Sequence, residues 1–239
     1  MRIAALYDVH GNLPALEAVL AEVESEDVDL IVVGGDVAAG GFPSETIERL
    51  RTLGDRVRWI RGNADRELMP GEEGNAPAHV LEWVRERLSD EQIAFLHRLP
   101  PQLELDLDGV GHVLFVHATP RNDTEVFTSA TPGERLEPVF AGVDADLVVC
   151  GHTHMQFERA VGPVQVVNAG SVGMPYEEAP GAFWALLGEV DGGPIDLRRT
   201  PYDVAAALEA IAATGYPEEW PQASPTEATA FFETLDLRV

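Results

Sequence analysis

Apolar residues fall along this chain in short blocks whose period changes from block to block. Residues 2–7 and Asp29 to Val33 are near-continuous apolar runs, the pattern of strands buried on both faces. Between them Leu13, Leu16, Val19, Leu20 and Val23 recur at helical spacing, with Asn12 as cap and Pro14 in the first turn. A second helix is predicted around Ser44 to Leu53 and a third strand at Arg56 to Ile60. This strand–helix–strand–helix–strand order is that of a parallel sheet wrapped by helices.

Residues 66–99 read as a largely helical insertion, broken by a loop at Pro70 to Pro77. It is open to service as a lid, a dimer surface or both. Ser89 and Gln92 form a capping box for a helix that stops before Pro100-Pro101. Gln102 to Leu107 and His112 to Val116 are predicted strands joined through Asp108-Gly109, a hairpin signal. A helix begins near Thr131-Pro132-Gly133-Glu134, and Pro138 must shorten or bend it. Asp146 to Cys150 is a buried strand, with shorter candidates at Phe157 to Val161, Val164 to Val167, Phe183 to Val190 and Ile195 to Arg199. Helices follow from Tyr202 to Ala213 and from Ser224-Pro225-Thr226-Glu227, where cap, first-turn Pro and N3 acid coincide.

Composition narrows the class without naming it. A chain of 239 residues with no evident linker fits one α/β domain over 1–239. No apolar run is long enough to span a bilayer. The first strand starts too early to leave room for a signal peptide, and the single cysteine, Cys150, suits a reducing compartment, so a cytoplasmic location is expected. The 41 acids face 16 bases, all Arg, for a net charge of −25. Such a surface repels long nucleic acid, yet it leaves small anionic substrates open because bound cations invert the local field. A homo-oligomer is left open, with residues 66–99 as its candidate surface.

Candidate chemistry sits where the apolar strands end. Asp8 and His10 follow the first, Asp36 the second, Asn63 the third, His117 the hairpin, and His152 and His154 the strand at Asp146 to Cys150. Each has a bland alternative: Asp36 as a turn residue, Asn63 as a helix cap, His117 as a hydrogen-bonded core imidazole. Ligand-competent groups at successive strand ends nevertheless converge in open α/β sheets, and together the seven point to a metal site. Mixed nitrogen and oxygen donors suit Mn, Fe, Co, Ni or Zn better than Mg or Ca.

In order and spacing, Asp8-x-His10, Gly35-Asp36, Gly62-Asn63, His117 and Gly151-His152-Thr153-His154 resemble the motifs of the calcineurin-like metallophosphoesterases. Asp8 to Glu17, Val116 to Pro120 and Asn168-Ala169-Gly170-Ser171 look like their small bacterial and archaeal phosphodiesterase branch. The resemblance implies a four-layer α-β-β-α sandwich of two mixed sheets with a site for two divalent or trivalent transition-metal ions, Mn foremost. It implies Asp8, His10, Asp36 and His154 on one ion, and Asp36, Asn63, His117 and His152 on the other. A metal-bridging hydroxide would then attack phosphorus in line, with Asn63 and His152 serving catalysis as well as binding.

Many members of that family carry His directly after the Gly-Asn ligand; this chain has Ala64, followed by Asp65. General-acid help is worth roughly 10²–10⁴-fold, so diesters and anhydrides with good leaving groups are expected over alkyl monoesters. Arg121, on the loop after His117, is either a fork for a phosphate oxygen or a surface ion pair. For Arg61 and Arg66 the ion pair is the expectation, and His79, His97 and His112 are expected at the surface or in packing. The leading reading is a phosphodiesterase acting on a small phosphorylated substrate. The rivals are a dinucleoside polyphosphate hydrolase, a Ser/Thr-type phosphatase and, in another class, a non-catalytic scaffold; retention of all seven ligands favours an enzyme.

Overall fold

The computed structural model describes residues 1–69, 71–72, 76–190, 193–218, 221 and 223–235. Part of the loop expected at 70–77 therefore lies outside the described residues. The first half alternates as its periodicity predicts: β1 (Arg2–Leu6), α1 (Leu13–Ser25), β2 (Leu30–Val33), α2 (Pro43–Arg51) and β3 (Val57–Trp59). Asn12 caps α1 by accepting the Ala15 N–H at 3.2 Å, and Leu16, Val19, Leu20 and Val23 form its buried stripe. The segment that follows holds α3 (Asn63–Glu67), α4 (Ala78–Arg85) and α5 (Asp90–Arg98), the last opened by the Ser89–Gln92 capping box.

Next come the hairpin β4 (Gln102–Leu107) and β5 (Gly111–Val116), then α6 (Gly133–Phe140), which ends two residues after Pro138. The strands β6 (Leu147–Cys150), β7 (Gln156–Val161), β8 (Val164–Ala169), β9 (Ala182–Val190) and β10 (Gly193–Thr200) precede α7 (Val204–Ala213) and α8 (Pro225–Phe232). Periodicity alone suggests one parallel sheet; the strands instead form two mixed five-stranded sheets, ordered β10-β9-β1-β2-β3 and β4-β5-β6-β8-β7. Within them β1, β2 and β3 run parallel, as do β5, β6 and β8, and the flanking strands run antiparallel.

Side-chain alternation along the strands builds the layers. From β1, Ile3, Ala5 and Tyr7 point into the seam between the sheets, where they meet Val113, Phe115, Leu147 and Val149. Ala4 and Leu6 point the other way, onto Leu16, Val19 and Ile47 of α1 and α2. Leu114, Val148 and Cys150 leave the second sheet outward, against Leu136, Val139 and Phe140 of α6. Helix, sheet, sheet, helix is thus the order of layers, as the family resemblance implied. Cys150 is a buried thiol in that outer core. No helix among the described residues is long and apolar enough to cross a membrane.

Candidate metal centre

Strands β1, β2, β3, β5 and β6 all deliver their carboxyl ends to one edge of the seam, which gathers residues far apart in the chain. Two clusters of ligand-competent atoms form there: Asp8 with His10 and His154, and Asp36 with His117 and His152. The clusters touch. His10 Nε2 and His117 Nε2 lie 3.8 Å and 3.4 Å from the same Asp36 oxygen, and Asn63 Oδ1 is 3.0 Å from His117 Nε2. All seven side chains singled out in the sequence are therefore brought together.

The backbone is bent to achieve this. Asp8, His10, Asp36, His152 and His154 all have positive φ, between 46° and 67°, and among the described residues the one other non-glycine to do so is Asp27. A left-handed backbone at a non-glycine is uncommon and costs of order 1–3 kcal/mol where nothing offsets it. Hydrogen bonds hold the bends. His10 and Gly11 N–H donate to Asp36 and Val37 carbonyls at 2.9 and 2.8 Å, and Gly173 N–H donates to the Asp8 carbonyl at 3.0 Å. Glycines leave the room: a Cβ on Gly62 would sit 2.1 Å from Asp36 Oδ1, and one on Gly151 2.3 Å from Asp8 Oδ2.

Imidazole orientation is fixed from behind. Nδ1 of His10, His117 and His154 donates to the carbonyls of Ala39, Gly34 and Met174, at 3.2, 2.9 and 2.7 Å. A carbonyl can only accept, so each ring keeps a proton on Nδ1 and turns Nε2 inward as the nitrogen that can bind a cation. His10 Nε2 and His154 Nε2 then face each other at 3.2 Å. Two lone pairs at that distance repel unless a positive centre lies between them.

Asp8 makes the same demand. Its Oδ2 accepts the His152 N–H at 2.8 Å, whereas its Oδ1 is buried with no hydrogen-bond donor and lies 3.3 Å from His154 Nε2. Burial resists ionisation of Asp8 and Asp36, but the surrounding histidines hold both carboxyls below the usual range. Burial likewise draws His117 down, and Asp36 and Asp8 outweigh it, pushing that imidazole up to about 10. His152, half-buried, falls to about 4, lowered by desolvation and by the neighbouring His117. A pocket that concentrates carboxylates and inward-facing imidazole nitrogens, and leaves one carboxylate oxygen orphaned, fits divalent cations.

Several supporting residues carry no ligand role in the sequence reading. Asp65 is fully buried and accepts three backbone N–H bonds, from Asp36, Val37 and Gly62, at 2.8, 3.0 and 3.1 Å. Burial and the Asp36 charge push its carboxyl up to about 7, against the pull of those donors. Buried Glu67 accepts the Asn63 amide N–H at 3.1 Å, which leaves Asn63 Oδ1 to face His117. Asn168 donates to the Gly151 carbonyl at 2.7 Å, and Ser171 to the Asp8 carbonyl at 2.7 Å. For Asn168 and Ser171 the sequence signal is a polar residue inside an apolar stretch, which a cap or a turn also leaves; Asp65 and Glu67 stand in a polar stretch and give none.

Arg121 stands apart from the seven. Its guanidinium forks onto buried Glu125, and it lines a neighbouring cavity of about 400 Å³ with Arg61, Arg66 and His117. Arg66 is paired with Asp123 and Glu72, and Arg61 donates to the His97 carbonyl. The ion-pair alternative therefore describes Arg121 and Arg66, whereas Arg61 is held by a backbone carbonyl. His79 pairs with Glu218 at the rim of the ligand cavity, and His112 pairs with Asp106 on the β4–β5 hairpin.

A profile of the calcineurin-like phosphoesterase superfamily domain matches residues 1–191. An uncharacterized protein of Methanocaldococcus jannaschii is 28% identical over 236 residues, covering 90% of this chain and 94% of its own. Phosphodiesterase YfcE of Escherichia coli K12 is 24% identical over 202 residues, 80% of this chain and 89% of that one. A symmetrical bis(5′-nucleosyl)-tetraphosphatase of Klebsiella pneumoniae is 35% identical over 126 residues, but this spans 49% of this chain and 44% of the relative. The crystal structure of a metallophosphoesterase from Sphaerobacter thermophilus superposes with a TM-score of 0.72 at 26% identity, covering 96% of this chain and 98% of that one.

Proposed function

The chain belongs to the calcineurin-like phosphoesterase superfamily, and we propose that within it the protein is a dinuclear-metal phosphodiesterase of the cytoplasm acting on small phosphorylated substrates. One observation carries the reading: seven ligand-competent side chains from five strand ends meet at one edge, with an Asp36 oxygen within 3.8 Å of imidazoles from both clusters. In this proposal Asp8, His10, Asp36 and His154 hold one ion, and Asp36, Asn63, His117 and His152 the other. Manganese is the first candidate, with Fe, Co, Ni and Zn behind it. A pair of such ions supplies Lewis-acid polarisation of the phosphate and an activated water at neutral pH.

The protein's own groups do the rest. The three Nδ1–carbonyl bonds keep the imidazoles aimed before substrate arrives, and Glu67 does the same for the Asn63 oxygen. Asn63 and His152 line the cavity and are proposed to position the phosphate as well as to bind metal. Arg121, already matched by Glu125, enters the proposal as a charge on the wall of the His117 cavity. The 66–99 segment is proposed as one wall of the site, since Ala76, Pro77 and Val80 line the same cavity as His10 and Asp36.

Ala64 also lines that cavity and has no proton to give the leaving group. The substrate must therefore carry a good leaving group, which favours diesters over alkyl monoesters. The test compares an aryl diester, an aryl monoester and a dinucleoside polyphosphate on manganese-loaded protein, alongside metal analysis of protein purified without chelator. The diester should be turned over fastest, and Ala64→His should raise monoester hydrolysis by about tenfold or more. Protein that binds no transition metal, or that turns over phosphoserine peptides as fast as the aryl diester, refutes the proposal.

A further inference from the structure

The ligand cluster forms the floor of a cavity of about 300 Å³ whose upper walls differ in chemistry from the floor. Those walls carry Val80, Pro77 and Tyr176, and from the chain beyond residue 215 Tyr216, Phe232 and the Glu218 carboxylate, which is paired with His79. The Tyr176 ring stacks on the His154 imidazole, centroids 5.2 Å apart and planes 22° from parallel, and lies 6.2 Å from the Phe232 ring. Tyr216 meets Trp83 of α4 edge to face at 5.4 Å. Among the described residues no arginine lines this cavity, and the chain contains no lysine.

From these walls we infer a subsite for a flat, uncharged aromatic ring attached to the phosphate, with Tyr176, Tyr216 and Phe232 as its specificity-determining residues. The inference rests on the phosphodiesterase reading for where the phosphate sits, and it adds what the phosphate is joined to. Aromatic faces hold planar rings with little selectivity for the ring's identity. A second phosphate, by contrast, would meet proline, valine and phenol where it needs cations. The walls thus favour an aryl or nucleoside ester over a phosphate chain.

Two of the three rings come from outside the stretch matched by the family profile, which ends at residue 191. They are held firmly. Helix α8 starts on a Ser224–Glu227 capping box, and past its end the Glu233 carboxylate accepts from Thr128 at 2.7 Å and from Thr131, with Arg135 3.7 Å away. A ring entering the cavity meets a wall already in place, so little ordering entropy is lost on binding.

Calorimetry on manganese-loaded full-length protein tests this with phenylphosphonate against methylphosphonate, which share a head group. The phenyl compound should bind about tenfold tighter. Phe232→Ala and Tyr216→Ala should each remove most of that ratio, and Phe231→Ala, on the exposed face of the same helix, should keep it. If Phe232→Ala does not fold, Phe232→Leu replaces it. A nucleoside 5′-phosphonate in the same series separates a nucleobase from a simple aryl ring. Equal affinity for the two phosphonates overturns the inference, as do variants that weaken both to the same degree. Protein that discriminates phenyl from methyl but cleaves no diester keeps the subsite and refutes the phosphodiesterase reading; cleavage without discrimination does the reverse.

Discussion

At the residue scale, three aspartates take two different parts around one site. Asp8 and Asp36 turn carboxylate oxygens toward imidazoles, whereas Asp65 turns its carboxylate onto backbone N–H groups and never faces the ligands. Removing it should therefore damage the site without deleting a ligand. In Asp65→Ala three buried donors lose their acceptor, at about 1–3 kcal/mol for an unsatisfied buried group, partly relieved by relaxation. Urea unfolding should show a loss of roughly 2–4 kcal/mol, and isothermal titration should show weakened manganese binding with both clusters still intact in sequence. An Asp65→Ala protein as stable and as metal-avid as the parent would mean that the loop after β2 holds itself.

The element scale explains what could be read from the sequence. Strand ends gave themselves away because a short apolar run followed by Gly-Asp, Gly-Asn or His-Thr-His is a local pattern. The pairing of strands is not local: β1 lies against β9, roughly 180 residues later, and no periodicity records that contact. For that reason the residue pattern alone suggests one parallel sheet, and the two-sheet arrangement came from the resemblance. Asp65 and Asn168 escaped for a related reason, since Asp36, Val37 and Gly151 lie on other elements; Glu67 follows Asn63 by one helical turn, a spacing that ordinary helix pairs share. The β4–β5 hairpin was legible through Asp108-Gly109, and it offers a clean check. His112 on β5 is hydrogen-bonded to Asp106 on β4 at 2.9 Å, which raises its pKa. A raised folded-state value means that the pair contributes below the ordinary histidine range and is lost as pH rises through the raised value. NMR titration should find His112 above the usual 6.5, and Asp106→Asn should bring it back toward that value; an unshifted His112 in the parent would show that the pair does not form in solution.

For the whole molecule, charge and metal act in opposite directions. A net charge of −25 keeps anions at a distance, so kcat/KM for an anionic diester should rise as salt is added, until screening over about 10 Å at 0.1 M is reached. A rate that falls with salt would point instead to a cationic entry path. Metal loading should stabilise the fold by mass action, by about 2.7 kcal/mol at a free ion concentration one hundred times the dissociation constant. Differential scanning calorimetry with and without chelator reads this directly, and an unchanged Tm would argue against tight binding.

The seam between the sheets runs through the middle of the ligand set. Asp8, His10, Asp36 and Asn63 hang from one sheet, and His117, His152 and His154 from the other, with the Tyr7 hydroxyl bonded across to the Val149 carbonyl at 2.9 Å just beneath them. Bound ions would cross-link the two sheets, so the sheets could not part without releasing them. It also binds the evolutionary freedom of the halves: a one-residue slip of β5 would carry His117 about 3.3 Å from its partners. Neither sheet can drift in register without the other.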